Sequence, residues 1–234
     1  MNFETFEPVY EAILTDFRFD RRDDERVRDV ASELSTPFSL SRLDGWEDAT
    51  VAVVGAAPCL DTPAELAVAR DADVVVAAST AVDTLHAADI DVDCMVTDLD
   101  KNPETAAALT RQGVPVAAHA HGDNGSAIRE WLPRFDAEWT LTTTQAAPVG
   151  PVHNTGGFTD GDRAAFLADH VGAGELCFPG WEFDDPDVGA IKAKKLEWAA
   201  RLLRVLERRR DEEFAVLDDR RERVGRELDS LLAA

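Results

Sequence analysis

Short apolar runs recur through the middle of the chain, each ending in small or polar residues and followed by a stretch of helical period. Residues 51–54, 74–78, 93–97, 114–118, 139–143 and 175–178 are the predicted strands. Several are apolar throughout rather than alternating, as expected of strands buried on both faces of a parallel sheet. The intervening segments carry helix starts. Thr62 fits a helix N-cap, Pro63 the first helical position, and Glu65 the far end of a capping box. Ser79-Thr80, Asn102-Pro103, Ser126 and Thr159 open further predicted helices. The alternation predicts an α/β fold, a doubly wound and mostly parallel sheet.

The pattern differs at both ends. Phe3, Phe6, Tyr10, Ile13, Leu14 and Phe17 repeat at helical spacing, and Val27, Val30, Ala31 and Leu34 mark a second helix over about 23–34. The polar string Asp20 to Asp24 between them reads as a turn, with no chemistry of its own. From Ile191 the chain is helical and heavily charged, with a stripe at Leu196, Ala199, Leu203, Leu206, Phe214, Leu217, Val224, Leu228 and Leu231. The expected organisation is an N-terminal helical segment over 1–48, an α/β catalytic domain over 49–188, and a long C-terminal helical extension over 189–234. The stripe can cover the sheet or pair with a second copy as a homo-oligomer.

Charge narrows the function. The 234 residues carry a formal net charge of −22, which argues against a general binder of nucleic acid or anionic membranes. No run approaches the length of a membrane span, and the N-terminus lacks the basic and apolar regions of a signal peptide. The three cysteines, Cys59, Cys94 and Cys177, match no metal or disulfide pattern and read as buried small side chains in a reducing cytoplasm. Lys accounts for only four of the 24 basic residues, and this acid-rich, Lys-poor balance fits a halophilic cytoplasm in which salt screens the charge.

The chemistry-bearing residues gather where predicted strands end. Asp98 and Asp100 follow an apolar strand two residues apart, so an extended backbone would turn both to one side. Open α/β sheets place ligands at such strand ends. Two converging carboxylates call for a cation, and hard oxygens suit Mg²⁺. Gly55, before Pro58, closes a strand-to-helix turn that could seat phosphate, although it is neither a Walker loop nor a dinucleotide fingerprint. Ser79 and Thr80 end the next strand. His119, His121, Asp123 and Asn124 form a cluster without zinc spacing, suited instead to phosphate or metal-water contacts, with Asp123 as a third carboxylate. Gly156 and Gly157 permit close backbone approach, and Asn154, Thr159, Asp160, Asp162 and Arg163 make the same loop dense in polar groups. Arg163 is a candidate for stabilising transferring phosphate charge. The four lysines sit at Lys101, beside the Asp pair, and at Lys192, Lys194 and Lys195. A compact ammonium suits phosphate.

Three stretches together carry a resemblance: Thr97 to Asp100, His119 to Asn124, and Asn154 to Arg163. Over about residues 50–200 the chain resembles the archaeal-type 6-hydroxymethyl-7,8-dihydropterin pyrophosphokinases, and the Asp-x-Asp strand end is similar to that of thiamine pyrophosphokinases. The resemblance implies Mg²⁺-dependent transfer of diphosphate from ATP to the pterin hydroxymethyl group, with release of AMP, in folate or methanopterin synthesis. It implies Asp98, Asp100 and Asp123 as metal ligands. His119, His121 and Asp123 remain alternatives for the base, and Trp181, Phe158 and Asn154 are candidates to hold the pterin. The Gly55-Ala56-Ala57-Pro58 turn departs from the more polar form expected of the family. Two other readings stand beside this one: a thiamine-type pyrophosphokinase, separated by product analysis, and a non-enzymatic nucleotide-binding module. A module has no need of rare residues gathered at strand ends.

Overall fold

A computed structural model describes residues 1–233, so the extension drawn to Ala234 runs one residue past those described. In order come α1 (Phe3–Phe17), α2 (Arg21–Leu34), β1 (Thr50–Val54), α3 (Pro63–Asp71), β2 (Val74–Ala78), α4 (Ala81–Ala87), β3 (Cys94–Thr97), α5 (Pro103–Arg111), β4 (Val116–Ala120), α6 (Gly125–Trp131), β5 (Thr140–Thr144), α7 (Asp160–His170), β6 (Glu175–Cys177), α8 (Ala190–Arg210) and α9 (Arg221–Leu232). The six strands form one sheet in the order β5-β4-β3-β2-β1-β6, parallel at every pairing. The doubly wound parallel sheet expected from the alternation is therefore present.

Successive strands from β1 to β5 add on the same side. Right-handed crossovers then keep α3, α4, α5 and α6 on one face. Side chains alternate along each strand. Ala52, Val54, Val75, Ala77, Met95 and Ala118 pack toward those helices and Val27 of α2. Val51, Val53, Val76, Cys94, Val96 and Leu141 pack on the other face, with α1, α7, α8 and α9. After β5 the chain returns across this second face through α7 and sets β6 beside β1. At that edge β1 leads to one layer and β6 to the other, which opens a crevice at their carboxyl ends.

Three expectations shift. The string Asp20 to Asp24 is no turn: Asp20 caps α2 by accepting from Arg22 N–H at 2.9 Å, and Asp23 and Asp24 fill its first turn, where acids favour the helix dipole. Strand β4 lies two residues later than predicted, so His119 sits inside the sheet. The C-terminal helix is broken. Asp211 takes a left-handed conformation, and the buried Glu207 accepts from Phe214 N–H (2.7 Å), Arg221 Nε (2.9 Å) and Arg204 Nη1 (2.8 Å), which folds α9 back on α8. The apolar stripe of both helices is covered by the chain's own core. Cys94 is buried, while Cys59 and Cys177 are half-buried and free. Among the described residues no helix is long and apolar enough to cross a membrane.

The turn before α7 depends on two glycines. Gly156 and Gly157 have φ of +99° and +98°. A Cβ on Gly156 would lie 2.3 Å from the Phe166 ring, and one on Gly157 would lie 2.6 Å from Cα of Arg163. Backbone cannot yield as a flexible side chain can. Gly157→Ala is therefore expected to lower the unfolding free energy by about 2 kcal/mol or more, read from the urea midpoint. An unchanged midpoint would show that the turn tolerates a side chain.

Candidate active site

All six strands point their carboxyl ends at one cleft of about 800 Å³, roofed by α7, α8 and the α1–α2 turn. Its centre is built at the end of β3. Leu99 is buried and left-handed (φ 65°), and the chain turns there so that Asp98 and Asp100 flank it. Thr97 Oγ1 accepts from Leu99 N–H at 3.0 Å, and Asp98 Oδ1 accepts from Asp100 N–H at 3.2 Å, which fixes the turn. Both carboxyls line the cleft, although the backbone between them is not extended.

From β4, His121 reaches the same point. Its Nε2 lies 3.5 Å from Asp98 Oδ2, and its Nδ1 lies 3.0 Å from Asp123 Oδ1. Asp123 itself is 92% exposed at its side chain and turned toward His121. Asn124 is a brace: its Nδ2 donates to the backbone oxygens of Asp98 and His119, both at 2.7 Å, and its Oδ1 accepts from His121 N–H at 3.0 Å. His119 is 1% exposed, with Nδ1 3.0 Å from Thr143 Oγ1, and lies beneath the cleft rather than on its wall. Burial, then the Arg163 and His121 charges, hold its pKa well below the ordinary histidine value.

Helix α7 enters with its N-terminus toward Asp98. Asp162 is a buried cap, accepting from Thr159 N–H at 3.0 Å, from Thr159 Oγ1–H at 2.6 Å and from Phe158 N–H. The buried Arg163 donates from Nη1 to Asp160 Oδ1 at 3.1 Å and from Nη2 to Gln145 Oε1 at 3.3 Å. Gly156 and Gly157 face α7, and Asn154 is spent on Ala146 O (2.9 Å) and Gly156 N–H (2.8 Å), so neither the glycines nor the amide lies on the cleft wall.

Charge at this centre is unbalanced. Burial opposes ionisation of Asp98, but hydrogen bonds with His121 and Asp100 and the Arg163 charge hold its pKa below the usual carboxylate range. Burial, then Asp98, pushes Asp100 up to about 6. Burial, then the charge of Asp98, pushes Asp160 up to about 8 even with Arg163 in contact. Three carboxyls face a space that holds too little positive charge for all of them to ionise.

The crevice between β1 and β6 forms the far wall. Gly55 N–H donates to Pro179 O at 2.9 Å, and Ala57 N–H to Gly180 O at 3.0 Å. A Cβ on Gly55 would meet Gly180 O at 2.4 Å, so only glycine allows this approach. Trp181 covers it, donating from Nε1 to Val53 O at 2.8 Å. Thr62 caps α3, but the Glu65 carboxylate accepts from Gly180 N–H at 2.8 Å instead of closing the capping box. Pro58 starts a 3₁₀ turn behind the wall. Ser79 and Thr80 line the cleft, as do Lys101, Lys192 and Lys195. Lys194 turns away to Asp16, with Nζ 2.9 Å from Oδ1.

Sequence reasoning missed the α1–α2 turn, where Arg18, Phe19 and Asp20 line the cleft, and missed Asp23 and Asp24 of α2 and Gln145, which line it too. Asp24 had one legible signal: it shares the apolar face of α2 with Val27 and Ala31, at spacings of three and seven. Gln145 had none.

Residues 28–188 match the family described as 6-hydroxymethylpterin diphosphokinase MptE-like. The chain is 37% identical over 219 residues to a protein of Methanothermobacter thermautotrophicus named 6-hydroxymethyl-7,8-dihydropterin pyrophosphokinase, an alignment spanning 86% of this chain and 94% of that protein. Identity to the protein of the same name from Pyrococcus furiosus is 34% over 221 residues, 87% and 93% of the two chains. For that from Methanocaldococcus jannaschii it is 28% over 239 residues, 92% and 99%. With a family match across most of the sheet and relatives aligned over nearly their whole length, the chain belongs to the MptE-like 6-hydroxymethylpterin diphosphokinase family.

Proposed function

We propose that this protein transfers diphosphate from ATP to the hydroxymethyl oxygen of 6-hydroxymethyl-7,8-dihydropterin and releases AMP, as a step of folate- or methanopterin-type synthesis in the cytoplasm. The observation that carries the reading is the cluster of Asp98, Asp100 and Asp160 facing Arg163 in one cleft. The names of the relatives support the acceptor.

Asp98 and Asp100 are the residues that would hold Mg²⁺. Their oxygens are hard donors, and burial, then the neighbouring Asp98, keeps Asp100 protonated into the range of pH 6. Among the described residues no three His, Cys, Asp or Glu side chains form a ready cage. Mg²⁺ binds through one or two carboxylates and completes its shell with water and phosphate oxygens. When bound, the ion would supply charge neutralisation to the phosphate chain.

The chain's own groups do the rest. Arg163 faces the oxygens of the diphosphoryl group as it transfers, and Lys101, Lys192 and Lys195 offset the remaining charge. The acceptor oxygen attacks the β-phosphorus, the bond to the α–β bridging oxygen breaks, and AMP departs with that oxygen. On this reading His121, 3.5 Å from Asp98 and 3.0 Å from Asp123, takes the hydroxymethyl proton. His119, packed against Thr143 off the cleft wall, does not. Positioning and charge stabilisation account for the transfer without a covalent intermediate.

The direct test is incubation with ATP, Mg²⁺ and the pterin at high salt, followed by chromatography. AMP and pterin diphosphate in equal amounts are expected; ADP in place of AMP would overturn the reading. Asp98→Asn is expected to lower turnover at least about a hundredfold while circular dichroism stays native. Wild-type rates in that variant would remove Asp98 from the chemistry.

Proton linkage gives a second check. Asp100 and Asp160 are raised to about 6 and about 8, so near pH 7 the free site holds protons that a cation must displace. Binding of preformed Mg²⁺–nucleotide should release protons and tighten as pH rises from 6 to 8. Calorimetry in buffers of different ionisation enthalpy reads the release, and Asp160→Asn should remove most of it. Identical heats in all buffers would show that the carboxyls ionise before the cation arrives.

A further inference from the structure

One set of buried polar groups is left over from this chemistry. Tyr10 of α1, Asp24 of α2 and Gln145 beyond β5 come from distant parts of the chain and meet at the cleft wall, which Asp24 and Gln145 line with Tyr10 behind them. Tyr10 OH donates to Asp24 Oδ2 at 2.7 Å, and Gln145 Nε2 donates to the same oxygen at 2.9 Å. Gly122 N–H, at the tip of β4, donates to Oδ1 at 2.7 Å. On its other side Gln145 Oε1 accepts from Arg163 Nη2, and Arg163 Nη1 donates to Asp160. An unbroken line of hydrogen bonds therefore runs from the N-terminal helical pair to the carboxylates at the centre of the site.

Asp24 is 3% exposed and, among the described residues, has no Lys or Arg partner. A buried acid without a cation is costly unless donors surround it. Here three donors from three other parts of the fold converge on it: Tyr10 OH, Gln145 Nε2 and Gly122 N–H. Stability alone does not require this. An apolar residue on the α2 stripe would pack without the cost.

The amide explains the arrangement. A carboxamide has a donor end and an acceptor end, an ionised carboxylate only accepts, and a guanidinium only donates. Asp24 therefore draws the NH₂ of Gln145 to itself, which leaves the amide oxygen for Arg163. With the amide reversed, two donors would face each other at Arg163 and two acceptors at Asp24. The acid orients the amide, and the amide orients the guanidinium.

We propose that Asp24 and Gln145 are positioning residues that hold the Arg163 guanidinium toward the transferring diphosphate, with Tyr10 tying the N-terminal helical pair into the same line. The inference rests on the role given to Arg163 above. Neither Asp24 nor Gln145 touches the reacting atoms; each acts through its neighbour.

A double-mutant cycle tests this. Asp24→Asn keeps the shape but offers a donor, so the amide can turn. Gln145→Met removes the amide at similar length. Each is expected to lower kcat for AMP release about ten- to a hundredfold, with the pterin KM within about threefold of wild type. The double variant should be no slower than Gln145→Met alone, because the acid has nothing left to orient. Tyr10→Phe, which keeps the acid–amide contact, should cost only a few-fold. Losses that multiply in the double variant would overturn the proposal, as would a large rise in pterin KM for Asp24→Asn, which would mark a direct contact. If Asp24→Asn does not fold, the cycle is run with Tyr10→Phe against Gln145→Met, and multiplied losses again overturn it. Absence of AMP release from wild type would instead sink the functional reading. The same cycle is then read as Mg²⁺–ATP affinity by calorimetry, where coupled losses support the positioning line and independent losses, or none, overturn it.

Discussion

The fold converges on the need to hold one guanidinium among carboxylates. Arg163 lies in the first turn of α7, buried, with Asp160 on one side and Gln145 on the other. That position is possible only because the chain before α7 turns through two glycines with positive φ, one of them against the backbone of Arg163 itself. Asp162 caps the same turn from inside, accepting from the N–H groups of Phe158 and Thr159 and from the Thr159 hydroxyl. The acids of this helix start thus have separate duties. Asp162 holds the backbone, and Asp160 faces the cleft.

The sheet topology decides where this assembly sits. Because β6 returns to pair with β1, the connection through α7 must cross the whole second face, and it starts over the end of β5 and finishes at β6. Its N-terminus therefore lies over the carboxyl ends of the central strands, where Asp98 and His121 emerge. The same return brings Gly180 against Gly55 and opens the crevice that Trp181 covers. One topological step thus supplies both the charged centre and the glycine wall. The flanking helices close the space: α8 brings Lys192 and Lys195, and it is held in place by Lys194 on Asp16 of α1.

Much of this was legible in the chain. The strands were visible as apolar runs because both faces of the sheet are covered, and the strand ends were visible because the rare Asn, His and Lys residues gather there. What stayed hidden depended on direction rather than position. His119 reads like a loop residue, yet pairing with β5 carries β4 two residues further and buries it. Asp123 and Asp160 are both acids near strand or helix ends. Only the turn geometry sends one toward solvent and His121 and the other toward Asp98. Lys192, Lys194 and Lys195 look like one cluster, but helical spacing sends Lys194 to α1 and its neighbours to the cleft. The break at Asp211 left no mark in a stripe that continues on both sides of it. Asp24 was the exception, a charged residue on an apolar stripe, and such a residue asks for donors that the sequence cannot name.

The division between Arg and Lys follows the same physics. Across most of the surface Arg pairs with acids, as on α8 and α9, where Arg201 and Arg223 bridge Glu197 and Glu227. A planar fork suits fixed pairing, and in a chain of net charge −22 such pairs keep neighbouring helices together. Lys101, Lys192 and Lys195 have no such carboxylate partner among the described residues, and they ring a cleft whose centre is acidic. A flexible ammonium can follow a phosphate chain as its charge shifts between oxygens, whereas Arg163, fixed by an amide and a carboxylate, cannot move and has to be aimed in advance. On the proposed function, mobile charge at the rim and aimed charge at the centre are two answers to one problem: admitting an anion into an acidic site while placing its reacting group within a narrow range of positions.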